Sequence, residues 1–294
     1  MIHDSVKNLF DLTGGEVAIV TGGLGQLGSQ YTDILSAAGA SVAVFDIRDE
    51  PSAKVKKLID EGRPISVHKV DITKKEEVKR GYGEVVSQFG VPTILVNNAG
   101  IDATPDAHAL SSGPYEDYPE EIWDAVIDSH LKGMFFMSQE FIRHFRAAQE
   151  KGPPPQGASL AQRNWAGSII NISSTYGIVS PDQAMYDFKR ENGKEFYKSV
   201  AYSVAKSGVL NFTRWLAEYC RQRKVPVRVN TLVPGGTFRD HPEVFVKEYA
   251  KRTILERMAR EDEYNGAILF LASHKASSYM TGSTLVVDGG WTAR

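Results

Sequence analysis

Apolar, mostly β-branched runs of four to six residues alternate along the chain with longer stretches whose apolar positions recur every three to four residues. The runs are 17–21, 41–46, 65–70, 93–97, 168–173, 227–232 and 284–287. The amphipathic stretches fall at roughly 26–38, 52–61, 74–89, 119–147, 198–223, 242–251 and 262–273. A short run that is apolar on both faces fits a strand covered on both sides, and a helix-length stretch between such runs fits a crossover between parallel strands. The pattern therefore predicts an α/β protein: one doubly wound parallel sheet of about seven strands with helices on both faces. No internal repeat interrupts it.

A single domain, 1–294, is expected, because no linker of domain-separating length is present. Gly152-Pro-Pro-Pro-Gln-Gly157 is short and leads into a strand of the same sheet. The extra length goes into three loops, near 101–118, 149–166 and 178–200. Ligands of such sheets sit beyond the carboxyl ends of the strands, so the first and third loops are expected to help form a site. The second enters its strand from the other end and reads as a surface loop.

Composition narrows the function classes. Lys plus Arg is 34 and Asp plus Glu is 36, a net charge of −2, which disfavours a polybasic nucleic-acid binder. The only cysteine, Cys220, allows neither an internal disulfide nor a cysteine-rich metal site and reads as a buried thiol. No histidine pair has chelating spacing, so no metal is expected. No apolar run is long enough to span a membrane, and 1–15 lacks the apolar core of a signal peptide, so a soluble cytoplasmic protein is expected.

The glycines carry more information. Thr21-Gly-Gly-Leu-Gly-Gln-Leu-Gly28 follows the first strand and opens the first helix. Gly22 permits a tight turn, Gly25 lets the backbone approach a pyrophosphate, and Gly28 lets helix pack on strand. The helix N-terminus offers free N–H groups to the phosphates. Asp46 ends the second strand, placed to accept hydrogen bonds from an adenosine ribose. A carboxylate there repels a 2′-phosphate, which favours NAD over NADP. Asp71, at the end of the third strand, either accepts from the adenine amino group or caps the helix that begins near Thr73. Gln26, Leu27, Ile47 and Ile72 complete this side of the candidate cofactor site.

Asn97-Asn-Ala-Gly100 follows the fourth strand, Ser174 ends the fifth, and Tyr202-Ser-Val-Ala-Lys206 lies on a helix. A spacing of four puts Tyr202 and Lys206 on one helix face, one turn apart. A phenol is a poor acid or base at neutral pH, and a neighbouring ammonium makes it usable. With the stretch Val229–Gly236 and the tail Val286–Trp291, these motifs resemble the short-chain dehydrogenase/reductase family over nearly the whole chain. The resemblance implies a Rossmann-type fold and hydride transfer between a nicotinamide and an alcohol carbon. It implies that Tyr202 is the general acid/base, that Lys206 binds the nicotinamide ribose, and that Ser174 orients the reacting oxygen. It also implies that Asn98, Ala99 and Gly100 line the cofactor, that Pro234 and Gly235 flank the nicotinamide with Thr237 nearby, and that the protein is a tetramer or dimer joined through its long helices.

Three positions depart from the family pattern. Gln26 stands where the single-domain branch has a glycine; the resulting spacing matches the branch that acts on nucleotide sugars. His130 replaces an asparagine that helps connect the lysine to solvent, and is expected to retain that role. The segment between Ser174 and Tyr202 is enlarged and carries Tyr186, Asp187, Lys189, Arg190, Glu191, Lys194 and Tyr197. Its polarity suits a sugar or sugar phosphate, with Tyr186, Lys189, Arg190 and, from the segment after the sixth strand, Arg239 and His241 as substrate contacts; the alternative is a solvated surface loop. That insert, Ser173–Gly177 and the terminal Gly-Gly-Trp291 resemble bacterial oxidoreductases of flagellin-modification and nonulosonate pathways. Two other functions remain open at this point. One is a nucleotide-sugar epimerase or dehydratase that recycles bound NAD. The other is a non-catalytic dinucleotide-binding regulator.

Overall fold

The computed structural model describes residues 3–101, 112–150, 167–190 and 195–294. Its strands are β1 (Val17–Thr21), β2 (Ser41–Asp46), β3 (Ile65–Lys69), β4 (Ile94–Asn97), β5 (Gly167–Ile172), β6 (Val227–Pro234) and β7 (Thr284–Val287). They pair in the order β3-β2-β1-β4-β5-β6-β7, each pairing parallel. The chain turns one way from β1 to build β2 and β3, and the other way to build β4 through β7. A crevice therefore opens at the carboxyl ends of β1 and β4, where the order reverses.

The helices are α1 (Asp4–Phe10), α2 (Gln26–Ala37), α3 (Ala53–Asp60), α4 (Lys75–Phe89), α5 (Glu120–Ile127), α6 (Gly133–Glu150), α7 (Val200–Gln222), α8 (Glu243–Ala250) and α9 (Asn265–Ala272). Alternate strand residues face opposite layers. Ala18, Val20, Val42, Val44 and Ile170 pack under α2, α3 and α9 against Tyr31, Leu35, Val55 and Ile268. Ile19, Ala43, Phe45, Leu95 and Ile169 pack under α4, α6 and α7 against Tyr82, Met137, Phe141 and Leu216. Each large side chain buried this way contributes roughly 1.5–3 kcal/mol.

A buried polar ladder crosses the same sheet. Asn97 Nδ2 donates to Asn171 Oδ1 (2.9 Å), and Asn171 Nδ2 donates to Thr213 Oγ1 (2.9 Å) on α7. Thr231 Oγ1 donates to that same Thr213 oxygen (2.7 Å). The ladder ties β4, β5 and β6 to one turn of α7, and pairing these groups avoids the cost of burying them unmatched.

The structure departs from the expected elements in several places. The stretch 119–147 is two helices, α5 and α6, joined by a π-helical turn, Asp128–Lys132, that carries His130. Helix 262–273 is shorter, because Glu263 accepts from Arg260 N (2.8 Å) and pairs with Arg257 (2.6 Å), which holds the preceding segment in a turn. The N-terminal segment forms α1, for which no element was expected. Of the three enlarged loops, 102–111, 151–166 and 191–194 lie outside the described residues. The described part of the third packs down, with Met185, Tyr186 and Phe196 buried. No described helix is long and apolar enough to cross a membrane.

Candidate active site

The turn after β1 builds the first half of the site. A Cβ on Gly28 would lie 2.2 Å from Gly22 O, so α2 packs this close to the turn only with glycine there. Gly25 is the N-cap of α2 and supplies no side-chain cap, which leaves the first-turn N–H groups to a ligand. They face a cleft of about 570 Å³ whose walls include Gly22, Gly25, Gln26, Leu27, Gly28, Asp46, Ile47, Asp71, Ile72, Asn98, Ala99 and Gly100. Thr21 does not line it. Fully buried, Thr21 instead braces the floor: its Oγ1 donates to Val96 O and accepts from the N–H groups of Asn98 (3.0 Å) and Ala99 (3.0 Å).

Asp46 is only 7% exposed at the end of β2. Its carboxylate accepts from Leu24 N (3.1 Å), Arg48 N (3.2 Å) and Arg48 Nε (3.1 Å). Asp71 lines the cleft and also holds its turn, accepting from Thr73 N (3.0 Å) and Thr73 Oγ1 (2.7 Å). Burial works against the charge on Asp71, but the hydrogen bonds from Thr73 and the ammonium of Lys74 prevail and hold its carboxyl below the usual range.

A second cavity, about 330 Å³, adjoins the first and shares Gln26, Leu27, Asn98 and Gly100 with it. Its lining brings together His130, Ser174, Tyr202, Lys206, Pro234, Gly235 and Thr237. Helix α7 is fixed there by reciprocal bonds. Ser173 Oγ donates to Lys206 O (2.7 Å), Lys206 Nζ donates to Ile172 O (2.8 Å), and Ser207 Oγ donates to Gly177 O (3.0 Å). Ser199 caps the helix, accepting from Tyr202 N (3.4 Å). Lys206 is 5% exposed, with Nζ 5.7 Å from the Tyr202 ring centre. Ser174 accepts from Tyr176 N (3.3 Å) at the mouth of the same cavity.

His130 packs edge-on against Tyr202, ring centres 5.4 Å apart. Its Nε2 lies 3.1 Å from Ile101 O; a carbonyl oxygen only accepts, so Nε2 carries the proton. Gly100 makes room for this ring, since a Cβ there would fall 2.0 Å from His130 Cε1.

The outer wall is aromatic. Tyr176, Tyr186, Phe245, Tyr249 and Trp291 form one cluster, with Tyr249 and Trp291 ring centres 4.7 Å apart. Gln26 Nε2 donates to Phe238 O (2.9 Å), tying the segment after β6 to the start of α2. Burial pushes the Tyr249 phenol up, and pushes Tyr264 up to about 12. Both stay protonated at neutral pH.

The polar reading of the insert needs correction. Tyr186 and Arg239 line the cavity, but Lys189 and Arg190 do not. Lys189 Nζ lies 4.9 Å from the Phe196 ring centre. Arg190 pairs with Asp187 (2.6 Å) and donates through Nε to Phe196 O (3.0 Å). The physical reason is that Tyr186 and Phe196 turn inward, and both cations are half-buried against the insert's own residues rather than in the cavity. Glu191 and Lys194 lie outside the described residues. Lys198, Tyr176, Tyr249 and Met258 line the cavity and were missed from the sequence. Lys198 had a signal, because it stands four residues before Tyr202, although the structure places it just ahead of the helix cap Ser199 rather than on α7. Tyr176 stands two residues after Ser174, in a stretch already singled out, whereas Tyr249 and Met258 had no signal because they come from distant segments.

Two family models match the chain: "short chain dehydrogenase" over residues 16–187, and "Enoyl-(Acyl carrier protein) reductase" over residues 190–292. Among curated relatives, a D-arabinitol 2-dehydrogenase [ribulose-forming] of Candida tropicalis is 29% identical, across 98% of this chain and 96% of its own. The 2-dehydro-3-deoxy-D-gluconate 5-dehydrogenase of Escherichia coli is 32% identical, across 95% and 96%. Among solved structures, a short chain dehydrogenase of Leptospira borgpetersenii with bound NAD+ superposes with a TM-score of 0.78 at 29% identity, across 99% of this chain and 97% of that one.

The contact between Gly100 and His130 yields a direct test. Gly100→Ala is expected to destabilise the protein by roughly 1–3 kcal/mol in urea unfolding, because a methyl group is forced into the ring. Adding His130→Asn should recover more than about 0.5 kcal/mol of that loss. Strictly additive losses would show that the ring yields at no cost.

Proposed function

The chain belongs to the short-chain dehydrogenase/reductase family, oxidoreductases that act on CH–OH groups with NAD(P), and from this we propose how its own residues do so. The reaction is hydride transfer between NAD and a secondary alcohol or ketone of a polyhydroxy substrate. The single observation that carries this reading is the convergence of Ser174, Tyr202 and Lys206 on a cavity continuous with the dinucleotide cleft.

The cleft fits a dinucleotide. The closely packed turn at Gly28 and the uncapped start of α2 suit a pyrophosphate, and Asp46 ends β2 where an adenosine ribose would lie. Asp71 and Ile72 flank the adenine, with Ile47 at the rim. Asn98, Ala99, Gly100, Pro234, Gly235 and Thr237 flank the nicotinamide half. NAD, when bound, supplies the hydride acceptor or donor. Tyr202 Oη takes the proton from the substrate alcohol, or returns it to the ketone oxygen. Ser174 Oγ orients that oxygen. Lys206, anchored by Ile172 O, holds a positive charge near the phenol and lowers the cost of the phenolate. His130 braces the Tyr202 ring in the position the family gives to asparagine. The aromatic wall offers flat apolar faces to the C–H faces of a polyol or sugar, in keeping with the names of the two curated relatives.

The one sheet and its flanking layers read as a single domain. Cys220 is buried, with its thiol pushed up to about 12 by that burial, which suits a reducing cytoplasm. A second copy of the chain is the expected partner. The face between α6 and α7 exposes Trp215 (60%) and Phe135 (42%) along a groove of about 590 Å³.

Three measurements test this reading. Tyr202→Phe should lower kcat by about 10²-fold or more while NAD affinity, read by calorimetry, stays within twofold. Unchanged turnover would remove Tyr202 from its role. Asp46→Ser should shift the ratio of kcat/KM for NAD over NADP towards NADP by about tenfold, or ~1.4 kcal/mol; an unmoved ratio would show that Asp46 does not select the cofactor. Trp215→Glu should release protomers in light scattering, and an unchanged mass would place the interface elsewhere.

A further inference from the structure

Gly235 and Gly236 form the turn that follows β6 on the nicotinamide side of the catalytic cavity. Their four backbone polar groups are all engaged, but not by the same part of the molecule. Gly235 N donates to Val287 O (2.9 Å) on β7, Tyr264 Oη donates to Gly235 O (2.9 Å), and Ala259 N donates to Gly236 O (3.0 Å). Val287, Tyr264 and Ala259 are not among the described residues that line the catalytic cavity. They line a smaller space of about 140 Å³ that shares Gly235, Gly236 and Tyr249 with it. The fourth group, Gly236 N, donates to Tyr249 Oη (2.5 Å), and Tyr249 lines both spaces.

Tyr249 belongs to the substrate wall. It is 5% exposed and packs on Trp291, ring centres 4.7 Å apart. A Cβ on Gly236 would fall 2.5 Å from Tyr249 Cε2, so the ring comes this close to the turn only against glycine. Its helix, α8, is also fixed to the insert. Arg252, two residues past the helix end, donates through Nε to Asp182 Oδ2 (2.6 Å) and through Nη1 to Glu248 O (2.8 Å). Three bonds therefore tie the turn to residues outside the catalytic cavity, and one ties it to the wall.

Resting on the hydride-transfer reading above, we propose that Tyr249 is a positioning residue: from the substrate wall it holds the Gly236 amide, and so fixes the turn against which the nicotinamide ring lies. Hydride transfer tolerates little error in the place of that ring, since a displacement of about 1 Å costs on the order of 10²-fold in rate. The bond to Tyr249 makes wall and turn one body. A substrate packed against Phe245 and Tyr249 then bears on the nicotinamide through a single N–H.

The probe is NADH, with ADP-ribose as its counterpart lacking the nicotinamide ring. Calorimetry gives the affinity of each, and time-resolved fluorescence anisotropy of bound NADH gives the local motion of the ring. The unaltered protein is expected to bind NADH tighter than ADP-ribose and to hold the ring without a fast local component. In Tyr249→Phe, which removes one oxygen atom, ADP-ribose affinity should stay within about twofold while the advantage of NADH falls about fivefold. A fast anisotropy component should appear with it. Gly236→Ala, which drives a methyl group into the Tyr249 ring, should give the same signature. An unchanged affinity ratio and anisotropy in Tyr249→Phe would overturn the proposal. So would equal affinity of the unaltered protein for the two ligands, or an equal loss of both in Tyr249→Phe, the mark of a general structural defect. Failure of the unaltered protein to bind either ligand would defeat the hydride-transfer reading and this inference with it. Neither readout needs turnover, so the Tyr249→Phe signature together with unaltered turnover in Tyr202→Phe would leave this inference standing and defeat the hydride-transfer reading alone.

Discussion

The whole site depends on how α7 is held against the end of β5. Three hydrogen bonds run between two short segments in both directions: a β5-end side chain to a helix carbonyl, a helix side chain to a β5 carbonyl, and a second helix side chain to the 3-10 turn beyond. Such a lock fixes rotation as well as distance. Ser174 lies one residue beyond the strand-side partner and Tyr202 one turn before the helix-side partner, so their placement in one cavity is set by bonds between their neighbours. The ladder through Asn171 and Thr213 repeats this tie two turns further along the helix. Neighbouring groups thus do much of the positioning.

The dinucleotide half rests on a different constraint, close backbone approach. At Gly28 the helix lies against the turn with no room for a single carbon atom. The two halves then meet through Gln26, which touches the segment after β6. Cofactor cradle and substrate segment are thus mechanically linked even though their residues are far apart in sequence.

The sheet was legible in the sequence because seven strands buried on both faces leave a strong β-branched signal, and each run expected as a strand contains one. The site residues that sit at strand ends or in the glycine turn were legible for the same reason: their place follows from the place of the strand. Legibility ended where contacts depend on irregular backbone. The π-helical turn at His130 leaves no periodic trace distinguishable from a helix. The insert misled, because charge counted along a segment does not say which way each side chain faces. Tyr186, expected as a substrate contact, does line the cavity, whereas Lys189 and Arg190 pack against Phe196 and Asp187 instead. Thr21 opens the glycine motif and so reads as a cofactor contact, but its hydroxyl binds the floor beneath, accepting from Asn98 N and Ala99 N.

The aromatic wall has a consequence for the order in which the molecule can be made. Trp291 packs on Tyr249 and Tyr176, and Asp288 holds that tail in place by accepting from Gly290 N (2.9 Å) and Thr292 N (2.8 Å). The glycine turn, by contrast, is assembled from residues near the start of the sequence. In a nascent chain the residues of the glycine turn are therefore made long before the ring that completes the aromatic wall. A chain that stops short of Trp291 keeps the glycine turn but loses the ring that packs on Tyr249 and Tyr176, and so opens the aromatic wall at its last-made corner.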